Sequence, residues 1–145
     1  MQAESLDHIQ VSACRLEPVW VIHVELGPED DDCIRQALCD EVRLTYGDYD
    51  HVSLETAIGT QFFRGAESTA SGPMESATSR QARVLSFSIT KDSDLLDAAM
   101  SVIHRLHSYE EPVIYVQDAF ASRSLPEKRE NENKWWMNTK GAAIR

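Results

Sequence analysis

Hydrophobic residues recur along this chain with two distinct periods, two and three-to-four, and the switches between them predict its elements. After Pro18 the run Val19-Trp20-Val21-Ile22-His23-Val24-Glu25-Leu26 puts Trp20, Ile22, Val24 and Leu26 on one face, the alternation of a strand. Gly27-Pro28 breaks it. Glu29-Asp30-Asp31-Asp32 then supplies carboxylates where a helix start exposes unpaired N–H groups, and Ile34, Ala37, Leu38 and Val42 predict a helix reaching about Leu44. The acidic run lacks the alternating oxygen ligands and central glycine of a calcium loop, so it reads as a cap.

Tyr49 to Ile58 alternates Val52, Leu54, Thr56 and Ile58 against His51, Ser53, Glu55 and Ala57, which predicts a second strand. Gly65 to Gln81 is rich in Gly, Ser and Thr with no helical period, and reads as a long excursion between strands. Val84 to Thr90 resumes alternation through Leu85, Phe87 and Ile89. The capping oxygens of residues 90–94 precede Leu95, Ala99, Val102, Ile103 and Leu106 at helical spacing, so a second helix is expected to about His107. Pro112 opens a fourth strand through Asp118.

The resulting order is βαββαβ. It predicts an α+β, ferredoxin-like fold, a four-stranded antiparallel sheet with two helices on one face. Three regions are expected: an arm or extra edge strand over 1–16, the folded body over 17–122 with its long loop 65–81, and a C-terminal tail over 123–145. A sheet covered on one side must hide the other, and self-association is the economical way to do so.

Charge narrows the partners. The formal net charge is −10, yet the tail from residue 123 is basic, so the body is more acidic than the total and repels nucleic-acid phosphates and anionic lipids. Neither nucleic acid nor membrane is expected as a partner. Cys14, Cys33 and Cys39 lack the close pairing of a zinc knuckle or redox dithiol, which suits reduced thiols in a cytoplasm. No run is apolar for long enough to span a bilayer, and Met1-Gln2-Ala3-Glu4 lacks the order of a signal peptide. In the tail, Trp135-Trp136 is a large apolar surface expected to bury against this subunit, a neighbour or another protein.

Candidate chemistry concentrates at His107-Ser108-Tyr109-Glu110-Glu111-Pro112, where a helix hands over to a strand. His104 and His107 lie three apart on one helix face, and Glu110 follows. Two readings stand side by side: these three hold a divalent metal, with His51 completing the set, or the histidines cap and pack at the negative end of the helix dipole. Tyr109 and Pro112 likewise either shape the turn or wall a pocket. Catalysis has little support, because no nucleophile elbow or phosphate-cradling glycine loop is present and adjacent Glu110 and Glu111 point apart if extended.

Three motifs together resemble the PII-like/CutA-like domain of the YqfO branch of the NIF-three-like family: Tyr49-Asp50-His51, Gly59-Thr60-Gln61-Phe62-Phe63, and His107 with Tyr109-Glu110-Glu111-Pro112. Ser108 stands where that family has a proline. The resemblance covers about residues 17 to 119, and neither flank resembles the metal-binding toroid halves that enclose the domain in longer relatives, so a stand-alone copy is expected. It implies sheets packed around a threefold axis, hence a homo-trimer, and a small-ligand or divalent-metal site near subunit clefts. The expected ligand-binding residues are His51, Tyr109, Glu110 and Glu111, and the expected metal residues are His104, His107 and Glu110. A non-catalytic binding or regulatory protein is the leading expectation. The alternatives are an interaction module using the tryptophan tail and a metal-dependent hydrolase related to the longer proteins.

Overall fold

The structure, a computed structural model, describes residue 6, residues 9–126 and residues 133–135. Its elements follow in the order β1 (Cys14–Leu26), α1 (Cys33–Glu41), β2 (Leu54–Glu55), β3 (Gly59–Phe63), β4 (Thr78–Thr90), α2 (Ser93–Leu106) and β5 (Ile114–Ser124). The sheet has five strands, ordered β2-β4-β1-β5 with β3 pairing to β4. β1 thus lies between β4 and β5 and not beside β2, as a split βαβ arrangement requires. Val19–Ala119 forms one compact unit, and the described residues among 1–18 and 120–145 form another. Within the latter, Arg123 Nε donates to Glu17 Oε2 at 3.1 Å.

The antiparallel register of β1 on β4 pairs Ile22 with Phe87 and Val24 with Leu85. Because side chains alternate across a strand, those pairs face the helices together. They meet Ile34 and Leu38 of α1 and Ala99, Val102 and Ile103 of α2 in one buried cluster. Burying each such aliphatic side chain contributes about 1.5–3 kcal/mol. Helix α2 starts at Asp92, whose carboxylate accepts the N–H groups of Asp94 and Leu95.

Helix α1 stops at Glu41, short of the expected Leu44. Arg43 and Leu44 adopt φ of 73° and 52°, a left-handed turn, and Arg43 N donates back to Leu38 O. That conformation costs an ordinary residue roughly 1–2 kcal/mol. It turns Leu44 into the core, where it is fully buried, and the burial offsets the strain.

The expected strand over Tyr49–Ile58 is the main correction to the fold. Only Leu54–Glu55 pairs with β4, at Ser86 and Leu85, and Leu54 and Ile58 are two-thirds exposed. The alternation there is real, but the helices pack on the far side of a short edge segment and leave its apolar positions uncovered. A fifth strand, β3, forms from Gly59–Phe63 and pairs with Ala82 back to Thr78. The excursion between strands is accordingly 64–77, not 65–81.

Candidate functional site

The site is built where β1 ends. Gly27 lies so close beneath the Tyr109 ring that a Cβ there would fall 2.8 Å from Tyr109 Cε1 and 3.0 Å from its hydroxyl. The chain then closes on itself: Asp30 N donates to Gly27 O, and Gly27 N donates to Asp30 Oδ2, each at 3.0 Å. This brings the Asp30 carboxylate inside, where the residue is only 2% exposed. Its remaining capacity is taken by Ser108, whose backbone N–H and hydroxyl both donate to it at 2.8 Å. A buried carboxylate is tolerated only when hydrogen bonds replace its water, and three donors do so here.

The second wall comes from the turn after α2. His107 caps the helix in an extended conformation, and its side chain is fully buried. Nε2 lies 2.7 Å from Glu25 O, and Nδ1 lies 3.0 Å from the backbone N–H of Tyr109. A carbonyl accepts and an N–H donates, so the ring carries its hydrogen on Nε2 and uses its Nδ1 lone pair on Tyr109. Both nitrogens are committed to shaping the turn. The Tyr109 ring packs beside it, with centroids 4.6 Å apart.

The third wall is the loop over 64–77. It folds on its own backbone through Met74 N to Gly65 O at 3.0 Å, and through the Thr69 hydroxyl, 2.7 Å from Ala66 O and 2.9 Å from Gly72 O. Glu110 ties it down, because both of its carboxylate oxygens accept the Ala70 N–H, at 3.0 and 2.9 Å. Between the loop, β3 and the turn lies a cleft of about 350 Å³, lined among others by Phe63, Arg64, Met74, Arg80, Tyr109, Glu110 and Glu111. Arg80 pairs with Glu29, and Arg83 braces the Gly27–Asp31 turn through backbone carbonyls of Gly27, Asp30 and Asp31. The hydroxyl of Tyr109 is buried yet has no hydrogen-bond partner. Burial pushes its pKa above the ordinary value of 10.0.

Of the residues anticipated from sequence, the fold gathers His107, Tyr109, Glu110 and Glu111 at this corner and leaves two elsewhere. His51 lies on the loop after α1 at φ 58°, with its N–H on Arg43 O and its Nδ1 3.0 Å from Asp50 Oδ1. That contact, with Arg43 beside it, holds the Asp50 carboxyl below its ordinary pKa. His51 does not line the cleft. His104 is exposed on α2.

The set His104, His107 and Glu110 is therefore not brought together as metal ligands. Among the described residues no three of His, Cys, Asp and Glu form a group that could hold a metal ion. The physical reason is that His107 turns inward with both nitrogens used, while Glu110 spends its oxygens on the loop. Helical spacing places Cβ atoms on a face but does not say which way a capping residue turns.

Sequence reasoning missed Asp30, Ser108, Arg64 and Arg80. Asp30 was indistinguishable from its acidic neighbours, although they part company in space: Asp31 Oδ1 accepts Cys33 N at 2.9 Å at the helix start, which lowers its pKa, while Asp30 points inward. The Gly-x-x-Asp spacing of a self-closing turn was the one available signal. Of the tail, Trp135 is 58% exposed, and Trp136 lies outside the described residues. His23, on the sheet's other face, has both nitrogens engaged, by Ser86 Oγ at 2.7 Å and Gln117 Oε1 at 3.1 Å.

No family model and no curated protein matches this chain. Solved structures do. A Bacillus cereus protein related to NIF3 superposes with a TM-score of 0.61 at 18% identity, over 78% of this chain and 29% of that one. The chain thus spans under a third of that protein's length. The divalent ion tolerance protein CutA1 from Ehrlichia chaffeensis gives 0.53 at 15% identity, covering 70% of this chain and 80% of that one. The periplasmic divalent cation tolerance protein CutA from Archaeoglobus fulgidus gives 0.52 at 14%, covering 75% and 89%. At such identities the likeness is one of fold: two helices on a five-stranded antiparallel sheet, a ferredoxin-like α+β fold shared with the CutA structures.

Proposed function

We propose that this chain is a non-catalytic binding or regulatory protein of PII-like type, which takes a small ligand in the cleft between Tyr109 and the loop over 64–77. The carrying observation is the cleft of about 350 Å³ itself, which Phe63, Arg64, Met74, Tyr109 and Glu111 line together. The cleft is also preformed, since Asp30, His107 and Glu110 fix its walls from three directions.

Binding without catalysis suits the residues present. The carboxylates of Asp30 and Glu110, the imidazole of His107 and the hydroxyl of Ser108 are occupied in structural hydrogen bonds, so none of these four groups is free to act as base or nucleophile. No helix among the described residues is long and apolar enough to cross a membrane. The free cysteines Cys14, Cys33 and Cys39 favour a reducing, cytoplasmic setting. Self-assembly as a trimer belongs to the same reading. Tyr115 and Val116 of β5 and Leu54 of β2 are exposed, and contact with further copies would cover them.

The test compares wild type with Phe63→Ala against a panel of small metabolites, read by thermal shift and calorimetry. The substitution trims an exposed apolar wall of the cleft, so free-state stability changes little, while affinity for the bound metabolite falls about tenfold. Equal affinity of the two proteins for every binder overturns the reading. Light scattering that returns a monomer removes the trimer.

A further inference from the structure

The cleft's polar groups divide into those the protein itself satisfies and those it leaves over. Glu110 is held by Ala70 N, Arg80 by Glu29, Ser108 by Asp30, and Thr69 by its own loop. Arg64 and Glu111 line the same cleft, and among the described residues neither has a hydrogen bond or ion pair. One cation and one anion therefore remain. Phe63, Met74 and Val113 supply the apolar part of the lining.

Resting on the cleft being a ligand site, we propose that its ligand is a free α-amino acid with an apolar side chain. Its carboxylate pairs with Arg64, whose planar fork suits that group. Its ammonium pairs with Glu111, and its side chain packs on Phe63, Met74 and Val113.

Charge excludes the neighbouring classes. A bare anion would meet Glu110 and Glu111 in the same cleft of a chain whose net charge is −10, and a bare cation would meet Arg64 and Arg80. A zwitterion matches both leftover charges and brings none of its own in excess. A cleft of about 350 Å³ is at the small end of ligand sites, which fits a molecule of this size.

The experiment titrates the full chain with leucine, methionine and phenylalanine, and with the N-acetyl and amide derivatives of each, by calorimetry at low salt. The free amino acids bind, and both derivatives, which each lack one charge, bind at least about tenfold more weakly. Arg64→Gln weakens the free acid and erases the discrimination against the amide; Glu111→Gln erases the discrimination against the N-acetyl form. Both residues are exposed, so neither variant threatens the fold. Equal binding of an N-acetyl derivative, or no binding of any of the three at about 10 mM, overturns the assignment. A different metabolite bound in a Phe63-dependent way would then leave the ligand cleft standing. Amino-acid binding insensitive to Phe63→Ala, Arg64→Gln and Glu111→Gln alike would instead remove the cleft reading itself.

Discussion

Ser108 gives Asp30 both of its donors, the backbone N–H and the hydroxyl, each at 2.8 Å, and so locks the turn after α2 onto the turn after β1. A proline at this position would offer no N–H, so the corner is held here by hydrogen bonds to a buried carboxylate and not by ring rigidity.

Asp30→Ala should therefore destabilise the protein by about 3 kcal/mol, because the N–H groups of Gly27 and Ser108 lose their acceptor in a buried place. Ser108→Ala should cost about 1 kcal/mol, since it keeps the N–H. Ser108→Pro, which removes both donors, should cost more than Ser108→Ala. Urea denaturation midpoints rank the three. An Asp30→Ala midpoint equal to wild type would contradict the latch.

Gly27→Ala puts a methyl group 2.8 Å from Tyr109 Cε1. Overpacking of this kind costs about 1–3 kcal/mol, and it should push the ring toward the cleft. In a Tyr109→Ala background the same substitution should cost markedly less, because the clashing atoms are gone. A double-mutant cycle showing no coupling would place the ring elsewhere.

His107→Ala should cost about 2–3 kcal/mol, from the loss of partners for Glu25 O and the Tyr109 N–H. The loss should be the same with and without added divalent metal, because both ring nitrogens are already used. Melting curves with zinc and with chelator make the comparison.

Tyr109 titrates above the unfolded value of 10.0 because burial disfavours the phenolate. A group with a raised folded pKa contributes stability that is complete below the unfolded pKa and is lost as pH climbs through the folded one. Stability should therefore fall as pH rises above about 10, and Tyr109→Phe should flatten that fall. Denaturation midpoints between about pH 9 and 11 measure it, and identical slopes would count against the buried hydroxyl.

Glu110→Gln keeps the side chain's length but weakens its hold on Ala70 N, where one N–H meets both oxygens of a carboxylate. Amide exchange within the loop over 64–77 should speed up severalfold, with little change in the core strands. Unchanged exchange at Ala70 would show that Glu110 does not tie the loop.

Much of the fold was legible from side-chain periodicity. Trp20 to Leu26, Leu85 to Ile89 and Ala99 to Ile103 face the core as their spacing requires, because a strand or helix long enough to pack must show one apolar face. Tyr49 to Ile58 misled for the same reason in reverse. Its alternation is as clean, yet only two residues pair with β4, since nothing in a period says whether another layer arrives to cover it.

The order of the helices and the principal strands, the apolar faces that close the core, and the corner at His107–Pro112 where polar groups gather are written locally in the chain. Tertiary structure alone decided what that corner is. Whether His107 points at a metal or at Glu25 O, and whether Asp30 caps a helix or enters the interior, depends on which donors lie across the fold, up to 82 residues away along the chain. Hydrogen-bond partners at such separations leave no local period, and directional bonds decide where a polar side chain turns.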